Sequence, residues 1–373
     1  MSTDPAANAR GRVVVAMSGG VDSSVAAAML VDEGADAIGV TMKLSESESR
    51  CCSLEDADDA RRVAERLGIK FYVANYADAF TKEVVEPFAD DYLAARTPIP
   101  CVACNQSFKF DHLLDRARVF GADRVATGHY ARLEHDPGTG AARLFRGRDR
   151  QKDQSYFLFS LTQEQLRAAS FPVGDLTKEQ VRDRARDLGL GTAEKPESQE
   201  ICFVPDGDYA KVVERLRPEA SRLRGEIVDE SGRVLGEHRG VHHFTVGQRH
   251  GLGISADRRL YVLRLDPREQ KVVVGGVEGL DCGRARVDRV NWIAGAAPSE
   301  PVRVRVQVRH RHTAARATVT PGPDETAEIA FEEPVRAVAP GQAAVFYDLE
   351  GDDEVIGGGW LVAGGGPGPR RNG

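Results

Sequence analysis

The chain lacks any long apolar run. Its first residues, MSTDPAANARGR, contain no apolar stretch of the kind that a secretory signal needs, and no later segment is long enough to span a bilayer. We therefore expect a cytoplasmic protein with no membrane partner. In that compartment the six cysteines are not expected to form a disulfide framework, which leaves catalytic, metal-binding or buried roles.

The sequence also lacks a net positive charge. Its formal charge of −7 over 373 residues argues against nonspecific affinity for nucleic acid. A local basic surface is still compatible with that total, because phosphates respond to nearby charges. The apolar content of 41% supports two or three domains with real cores.

The first half of the chain alternates apolar β-branched runs with helical patterns, which is typical of an α/β fold with a parallel sheet and crossover helices. We predict strands at residues 13–17, 37–42, 71–76 and 124–130. We predict helices at residues 54–67, 79–96 and 177–188, a proline-bounded loop at 97–105 and a hairpin within 136–147.

The pattern changes after about Pro205, where short strands and glycine-rich turns dominate. The segments concerned are GEIVD, HHFTVGQRHGLG, RRLYVLRLD and KVVVGG. A further β-rich segment runs from about Asp288 to Trp360. We predict domains at residues 11–206, 207–286 and 287–363, between disordered ends at 1–10 and 364–373.

The strongest motif is AMSGGVDSSV at residues 16–25, between a strand and a helix. Two glycines let backbone N–H groups approach a phosphate, serine hydroxyls add donors, and the helix N-terminus adds positive potential. Neither GxxxxGK[ST] nor GxGxxG is present, which argues against a P-loop and a dinucleotide site. A structural strand–helix turn, with Asp22 or Ser23 as its cap, is the weaker alternative.

This loop resembles the pyrophosphatase loop of the N-type ATP pyrophosphatases, which cleave ATP between its α- and β-phosphates. The resemblance implies adenylation of a substrate oxygen. Asp22 is either a Mg²⁺ ligand or a helix cap under this hypothesis. Met42 stands where such folds place the adenine, with a core methionine as the alternative.

The cysteines form a second signal. Cys101 and Cys104 belong to PCVACN in the predicted loop, and Cys202 lies far along the chain in ESQEICFV. We predict that Cys104 lies at a helix start, which favours the nucleophilic thiolate. No second CxxC or HxxxH supplies the further ligands of a structural zinc site. We interpret adjacent Cys51 and Cys52 as structural and Cys282 as buried and inert.

Several segments together resemble the bacterial tRNA-specific 2-thiouridylases, in that family's order and over essentially the whole chain. They are SGGVDSS, RCCSLEDADDARRVAERLGI, TPIPCVACN, TGHYAR, KDQSYFL, ESQEICF and HHFTVGQRHGLG. The resemblance implies a Rossmann-like catalytic domain of the adenine nucleotide alpha hydrolase type. A small central β-rich domain and a C-terminal β-barrel that binds tRNA would follow it.

The family match also implies roles for individual residues. Cys104 corresponds to the nucleophile and Cys202 to the cysteine that carries a persulfide. The implied ATP contacts are Ala16, Met17, Ser18, Gly19, Gly20, Val21, Asp22, Ser23, Met42 and Gly128. The implied or candidate tRNA contacts are Ile99, Pro100, Cys101, His129, Lys152, Asp153, Gln154, Arg309, His310, Arg311 and Gln342.

Cys101 departs from the family pattern, because some members carry an aspartate with an acid–base role at that position. That role does not transfer to a thiol. Three cysteines, Cys101, Cys104 and Cys202, instead leave open an iron–sulfur cluster; otherwise we expect no bound metal beyond Mg²⁺.

The implied activity is thiolation of uridine 34 in tRNA for Lys, Glu and Gln, with ATP and Mg²⁺. The sulfur donor would be a cysteine desulfurase or its relay partner. Alternatives are another adenylating enzyme of this class, a thiamine- or 4-thiouridine-type sulfurtransferase, and a nonenzymatic iron–sulfur or zinc RNA-binding module. The last alternative leaves SGGVDSS unexplained.

The run PVRVRVQVRHRHT at residues 301–313 alternates with period two, which predicts one strand. Four arginines and Gln307 would then share one face, and valines the other. Arginine faces suit phosphates, whereas pairing with Glu332 and Glu333 is the structural alternative. The family resemblance favours RNA binding. His129 lies near the end of the predicted strand 124–130. It is either a neighbour of the uridine, which must leave the stacked anticodon loop to react, or a structural hydrogen-bonding residue.

Overall fold

The computed structural model describes residues 11–45, 54–196, 201–204, 206–351 and 353–364. Cys51 and Cys52 lie outside these residues, as does most of the segment 197–205 that joins Pro196 to Pro205. Within the described part of the chain, no helix combines the length and apolar character that crossing a bilayer requires.

The N-terminal region is built on a five-stranded parallel sheet of order β3-β2-β1-β4-β7. Its strands are β1 (Arg12–Ala16), β2 (Asp36–Lys43), β3 (Lys70–Asn75), β4 (Arg124–Ala126) and β7 (Ala169–Ser170). Val13 and Val15 pack into one core cluster and Val14 into another, so both faces of the sheet are covered. This confirms the predicted α/β class.

Nine α-helical segments accompany the strands among the described residues. They are α1 (Val21–Asp32), α2 (Leu54–Leu67), α3 (Ala77–Phe80), α4 (Glu86–Leu93), α5 (Pro100–Ala103), α6 (Leu113–Val119), α7 (Gln163–Ala168), α8 (Lys178–Asp187) and α9 (Tyr209–Leu216). Helix α2 matches the prediction because Ala60, Val63 and Ala64 recur at helical spacing and are buried. Thr177 and Gln180 form a capping box that begins α8, and Gly189 follows its end at φ 60°.

Two π-helical turns join these segments into longer helices. Thr81–Val85 connects α3 to α4, and Cys104–His112 connects α5 to α6. The predicted loop at 97–105 is therefore wrong in its second half. A helix begins at Pro100, where a proline at the first position costs no backbone hydrogen bond.

The central region holds a four-stranded sheet of order β10-β11-β8-β9. Its strands are β8 (Gly225–Asp229), β9 (Val234–His238), β10 (Tyr261–Asp266) and β11 (Lys271–Gly275). The predicted strand character of HHFTVGQRHGLG is wrong. Only the short 3₁₀-helix Val241–His243 and turns lie there, because glycines at positive φ (Gly247, Gly251 and Gly253) break any extended run.

The C-terminal region is a closed six-stranded antiparallel barrel. Its strands are β12 (Asp281–Trp292), β13 (Val302–Gln307), β14 (Ala315–Pro321), β15 (Ala327–Arg336), β16 (Ala343–Tyr347) and β17 (Glu354–Leu361). Pairing of β12 with β17 closes it. A hairpin is present, but the predicted range 136–147 is wrong for its first strand: β5 (Ala131–His135) precedes that range, and only β6 (Ala142–Arg146) lies within it. Strand β6 also pairs with the first residues of β17. The N-terminal region thus contributes two strands to the sheet of the barrel.

Candidate active site

A cavity of about 440 Å³ lies at the carboxyl ends of β1, β2 and β4. The chain runs from β1 outward to β3 and later returns to β4 on the other side of β1, so this is the switch point of the sheet. Parallel α/β folds bind ligands at such a point. Most residues of the predicted phosphate loop line the cavity: Ala16, Met17, Ser18, Gly20, Val21, Asp22 and Ser23.

The phosphate loop needs its glycines for two different reasons. Gly19 has φ +72°, and a Cβ there would lie 2.2 Å from the backbone oxygen of Asp56. Gly20 is the N-cap of α1 and makes no side-chain capping bond, and the first N–H groups of a helix have no partner within it. The loop therefore presents backbone donors to the cavity at a helix N-terminus, as an anion site requires.

Serine hydroxyls hold this loop closed. Ser23 Oγ accepts from the Ser18 N–H at 3.2 Å and donates to the Gly20 carbonyl at 3.1 Å. Ser24 Oγ donates to the same carbonyl at 2.8 Å. Ser23 and Ser24 are buried, so their hydroxyls stabilise the loop from within.

Gly128 lies against the start of α1. Strand β4 ends at Ala126, and a Cβ on Gly128 would come within 2.6 Å of the Asp22 carbonyl carbon and the Ser23 nitrogen. A side chain here would push the phosphate loop away. The predicted strand 124–130 is therefore too long, because the chain leaves the sheet at the point where the cavity opens.

The end of β2 supplies the apolar wall. Val40, Met42 and Leu44 line the cavity together with Ala16, and Met42 is nearly buried. A flat apolar ring such as adenine fits against these side chains, whereas the charged phosphates fit the adjacent loop. Met42 thus lines the cavity, and its contact with adenine stays a prediction.

Asp22 is hydrogen-bonded by two neighbours that the sequence analysis missed. Lys178 Nζ donates to its two carboxylate oxygens at 2.8 and 2.9 Å, and the Tyr130 hydroxyl donates to Oδ1 at 2.7 Å. The cap alternative does not hold, since Gly20 is the N-cap. A Mg²⁺ ligand role would require Lys178 to move off the carboxylate.

The cavity carries an excess of positive charge. Four lysines line it, Lys109, Lys152, Lys178 and Lys195, against two acidic side chains among the described residues, Asp22 and Asp56. Lys195 Nζ lies 2.7 Å from Asp56 Oδ1 and 2.5 Å from Asp59 Oδ2. Burial would lower the pKa of Lys195, but its hydrogen bonds to the two carboxylates outweigh burial and raise it. The excess charge suits a polyphosphate.

Only Lys152 among these lysines was predicted from the sequence. Lys178 and Lys195 follow the cavity-forming strands by tens of residues and belong to no motif that we recognised. The one available signal for Lys178 was its position after Thr177, at the start of a capped helix.

Both predicted catalytic cysteines line this cavity, as does Cys101. Cys101 is exposed and Cys104 half-buried, and they lie in the first turns of the helix that begins at Pro100. Cys101 is thus nearer than Cys104 to the helix N-terminus, contrary to the predicted helix start. Cys282, by contrast, is buried in the barrel, and burial raises the pKa of its thiol.

Cys202 is held in place by its neighbours. Residues 201–204 pack on the core cluster that contains Phe80 and Phe88. The Phe203 ring contacts both of these rings edge-on, with centroids 5.9 and 5.0 Å apart. Two cysteines about a hundred residues apart in sequence therefore reach one cavity because an aromatic anchor fixes the later segment.

His129 is a buried neutral imidazole on the wall of the cavity. Lys109 Nζ lies 3.3 Å from its Nε2, and Thr127 Oγ1 lies 2.7 Å from its Nδ1. An ammonium only donates, so Nε2 accepts and Nδ1 carries the proton. Burial and then the charge of Lys109 lower the pKa of His129 well below its usual value.

The predicted tRNA contacts 152–154 divide into two groups. Lys152 and Gln154 line the cavity, and Gln154 also exchanges hydrogen bonds with the Tyr130 backbone. Asp153 is buried and accepts from Arg146 Nη1 at 2.9 Å and from the Ser155 hydroxyl at 3.0 Å. Its carboxylate therefore stabilises this segment from the inside.

The prediction of one strand over 301–313 is wrong. Strand β13 ends at Gln307, which is buried and accepts from Arg146 Nη2 at 2.6 Å. Arg303 forms an ion pair with Glu332 at 2.9 Å, and Arg305 forms one with Asp353 at 2.5 Å. The structural alternative thus holds for the two arginines within the strand.

Arg309, His310 and Arg311 lie in the turn that follows β13 and are exposed. Nε2 of His310 lies 3.4 Å from the Asp153 carbonyl, and its ring lies 4.5 Å from the Phe157 ring. The structure thereby brings the predicted tRNA segments 152–154 and 309–311 side by side. Their binding of tRNA stays a prediction.

The remaining predicted contacts lie where the barrel meets the start of α5. Gln342 Nε2 donates to the Thr97 carbonyl at 3.3 Å, and Thr97 donates its N–H to the Pro340 carbonyl at 2.7 Å. Pro100 lines the cavity, and Ile99 packs beside it on another core cluster. Gln342 thus joins the two regions in this structure.

Comparisons with known proteins agree with this architecture. Family models described as the tRNA methyl transferase HUP domain, the tRNA methyl transferase PRC-barrel domain and the aminomethyltransferase beta-barrel domain match residues 11–206, 211–276 and 283–361. A solved 4-thiouridine synthetase–RNA complex with bound ATP overlaps 57% of this chain and 52% of that one, with TM-score 0.38 and 18% identity. At that level the overlap carries no information on function.

Full-length relatives are far more similar. The tRNA-specific 2-thiouridylase MnmA of Acidobacterium capsulatum is 52% identical, over 94% of this chain and 98% of that protein. The protein of the same name from Solibacter usitatus is 50% identical, over 94% and 98%. The chain therefore belongs to the tRNA-specific 2-thiouridylase family.

Proposed function

We propose that this protein uses ATP to replace the C2 oxygen of uridine 34 in tRNA with sulfur, and that it acts in the cytoplasm on tRNA for Lys, Glu and Gln. The observation that carries the proposal is that the phosphate loop, Cys104 and Cys202 line one cavity. An adenylating site and two thiols are the parts that this chemistry needs, and they share one chamber.

The first step is adenylation. The C2 oxygen of uridine attacks the α-phosphorus of ATP, the bond to the bridging oxygen breaks, and pyrophosphate leaves. The loop N–H groups and the cavity lysines stabilise the charge on the phosphates. Mg²⁺ would accompany those phosphates, and Asp22 would hold it once Lys178 moved off the carboxylate. The weak leaving group at C2 has then become AMP.

The second step is sulfur transfer. A cysteine desulfurase or relay protein first loads Cys202 as a persulfide. The terminal sulfur attacks C2 and AMP leaves; the Cys104 thiolate then attacks Cys202 Sγ. The bond between Cys202 Sγ and the sulfur attached to C2 breaks, and its electron pair stays on that sulfur, which gives 2-thiouridine. The two cysteines are oxidised to a disulfide. An external thiol must reduce that disulfide before the next cycle.

Single cysteine variants test the scheme. Cys104→Ser and Cys202→Ser should lose thiolation in a nucleoside digest while still releasing pyrophosphate from ATP and tRNA. Only Cys104→Ser should accept labelled sulfur from a desulfurase. Cys282→Ser, in the barrel, is the matched control and should stay active. A fully active Cys202→Ser enzyme would contradict the persulfide assignment.

We keep an iron–sulfur cluster as a second proposal, whose ligands would be Cys101, Cys104 and Cys202, because all three line the same chamber. Such a cluster would supply iron-bound sulfide in place of a persulfide. Cys101→Ser separates the two proposals. A mild loss of activity supports the two-thiol route, whereas complete loss together with loss of bound iron supports the cluster.

A further inference from the structure

Two adjacent histidines and a glutamate converge outside the cavity, beside the central sheet. His242 and His243 belong to the 3₁₀-helix Val241–His243, and Glu214 belongs to α9. Oε1 of Glu214 lies 3.4 Å from Nε2 of His242 and 3.3 Å from Nε2 of His243. One ligand atom from each residue lies within 4.8 Å of the other two.

The imidazole nitrogens of this cluster are poorly satisfied. His242 is completely buried; its Nε2 faces Glu214 Oε1 at 3.4 Å, whereas its Nδ1, which lies outside the proposed ligand set, makes no hydrogen bond among the described residues. The Nε2 of His243 is likewise buried and makes no hydrogen bond within the described part of the chain, although it faces Glu214 at 3.3 Å. Buried polar atoms without partners are uncommon and call for an explanation.

We propose that Glu214, His242 and His243 bind a divalent transition-metal ion of the zinc class. Tetrahedral zinc with bonds of about 2.0–2.1 Å places neighbouring ligand atoms roughly 3.3 Å apart. The two measured separations, 3.3 and 3.4 Å, match that spacing. A set of two imidazoles and one carboxylate favours zinc, cobalt or nickel over calcium and magnesium, which take oxygen ligands.

The cluster lies close to the protein surface. The side chains of His243 and Glu214 are 31% and 32% exposed, but Nε2 of His243 is itself buried, so these side chains would rotate to admit an ion and a fourth ligand from solvent.

Bound metal would clamp α9 to the central region. Helix α9 packs on α4, where the rings of Tyr209 and Tyr92 stack with centroids 4.2 Å apart. The same helix begins seven residues after Cys202, whereas the histidines belong to the segment between β9 and β10. The ion would thus join the segment that carries Cys202 to the central sheet and stabilise the folded chain.

The test is a titration of the full chain with zinc chloride alone. The background is Cys101→Ser, Cys104→Ser and Cys202→Ser, which removes the described cavity thiols. We expect one zinc ion bound by nitrogen and oxygen at about 2.0–2.1 Å in X-ray absorption. Glu214→Gln and His243→Ala should each weaken this binding at least about 10-fold and reduce the zinc-induced rise in Tm.

Two exposed residues of the same region serve as controls. Glu237→Gln and His250→Ala change the same side-chain types away from the cluster and should bind zinc as the background protein does. Equal zinc affinity in Glu214→Gln, His243→Ala and the controls would overturn the proposal. So would a bound ion whose only ligands are sulfur at about 2.3 Å.

Discussion

The phosphate loop and the alternating arginine run at residues 301–313 both have clear sequence patterns. The structure confirms the expected conformation of the loop but not that of the arginine run. Residues 18–24 form the expected backbone cradle at the start of α1. The alternating run after Pro301 stops being a strand at Gln307, and its first two arginines are engaged in ion pairs.

The difference lies in where each function resides. The loop depends on its own backbone and on hydroxyls within a few residues, such as Ser23 and Ser24 on the Gly20 carbonyl. The arginines depend on partners far along the chain, Glu332 and Asp353, which no local pattern reveals. The conformation of a motif can be predicted when its hydrogen bonds are made within a few residues. The role of a motif whose side chains pair with distant residues cannot.

The strongest test of this contrast is Gly19→Ala. A Cβ at Gly19 would collide with the Asp56 backbone, so the cradle must shift. We expect pyrophosphate release to fall at least about 100-fold, since displacing a catalytic geometry by an ångström has that effect. Steady-state pyrophosphate release with saturating tRNA measures it.

Gly34→Ala is the matched control. Gly34 also has a positive φ, +81°, but a Cβ there would meet nothing within 4 Å. We expect near-normal activity and a stability loss of about 1 kcal/mol from backbone strain. Equal activity of the Gly19 and Gly34 variants would show that the loop is a turn without a catalytic role.

An intermediate effect is expected on the barrel side. Arg309→Ala and Arg311→Ala should each weaken tRNA binding and flatten its log–log salt dependence by about one unit per lost phosphate contact. Arg303→Ala should leave the binding curve almost unchanged, because Arg303 is paired with Glu332 in the strand. If Arg303 matters as much as the turn arginines, the contrast between strand and turn is wrong.

The smallest expected effect is the pH dependence of stability that the buried His129 causes. The lowered pKa of His129 means that the unfolded chain, but not the folded one, binds a proton at this residue below about pH 6.5. Stability should therefore fall as pH falls from 6.5, by up to about 1.4 kcal/mol per pH unit for this group. Urea unfolding at pH 7 and 5.5 measures the loss.

His129→Gln should make this pH dependence shallower by about one proton. His135, which is exposed at the end of β5, is the control for the same substitution. An unchanged slope in His129→Gln would mean that the imidazole is not held neutral in the folded protein.

Much of the framework could be predicted from the sequence. Apolar runs and helical spacing predict the parallel sheet and α2, and the family resemblance assigns Cys104, Cys202 and the phosphate loop to one catalytic domain. The helix at Pro100 was missed because its prolines and cysteines resemble a loop. The apolar residues of HHFTVGQRHGLG favour strand, but they do not reveal the turns at its glycines.

Most of the lysines that line the cavity could not be predicted from the sequence. Lys178, Lys195 and Lys109 come from three separate elements, and only the folded sheet brings them to one cavity. The family match implies a tRNA contact for Asp153 as part of the stretch 152–154. Its burial depends on Arg146 in β6, which the local sequence does not reveal.

Pairing of β6 with β17 has a consequence for how the chain is synthesised and how it can be dissected. The ribosome produces the hairpin β5–β6 some two hundred residues before β17, so the N-terminal region must wait with an open strand edge. Unpaired edges invite association with other chains. A barrel cut out at residue 287 would lose the first six residues of β12 as well as this cover on Glu354 and Val355. We therefore expect each half to be less stable alone than within the chain, and co-expressed halves should associate through the pairing of β6 with β17.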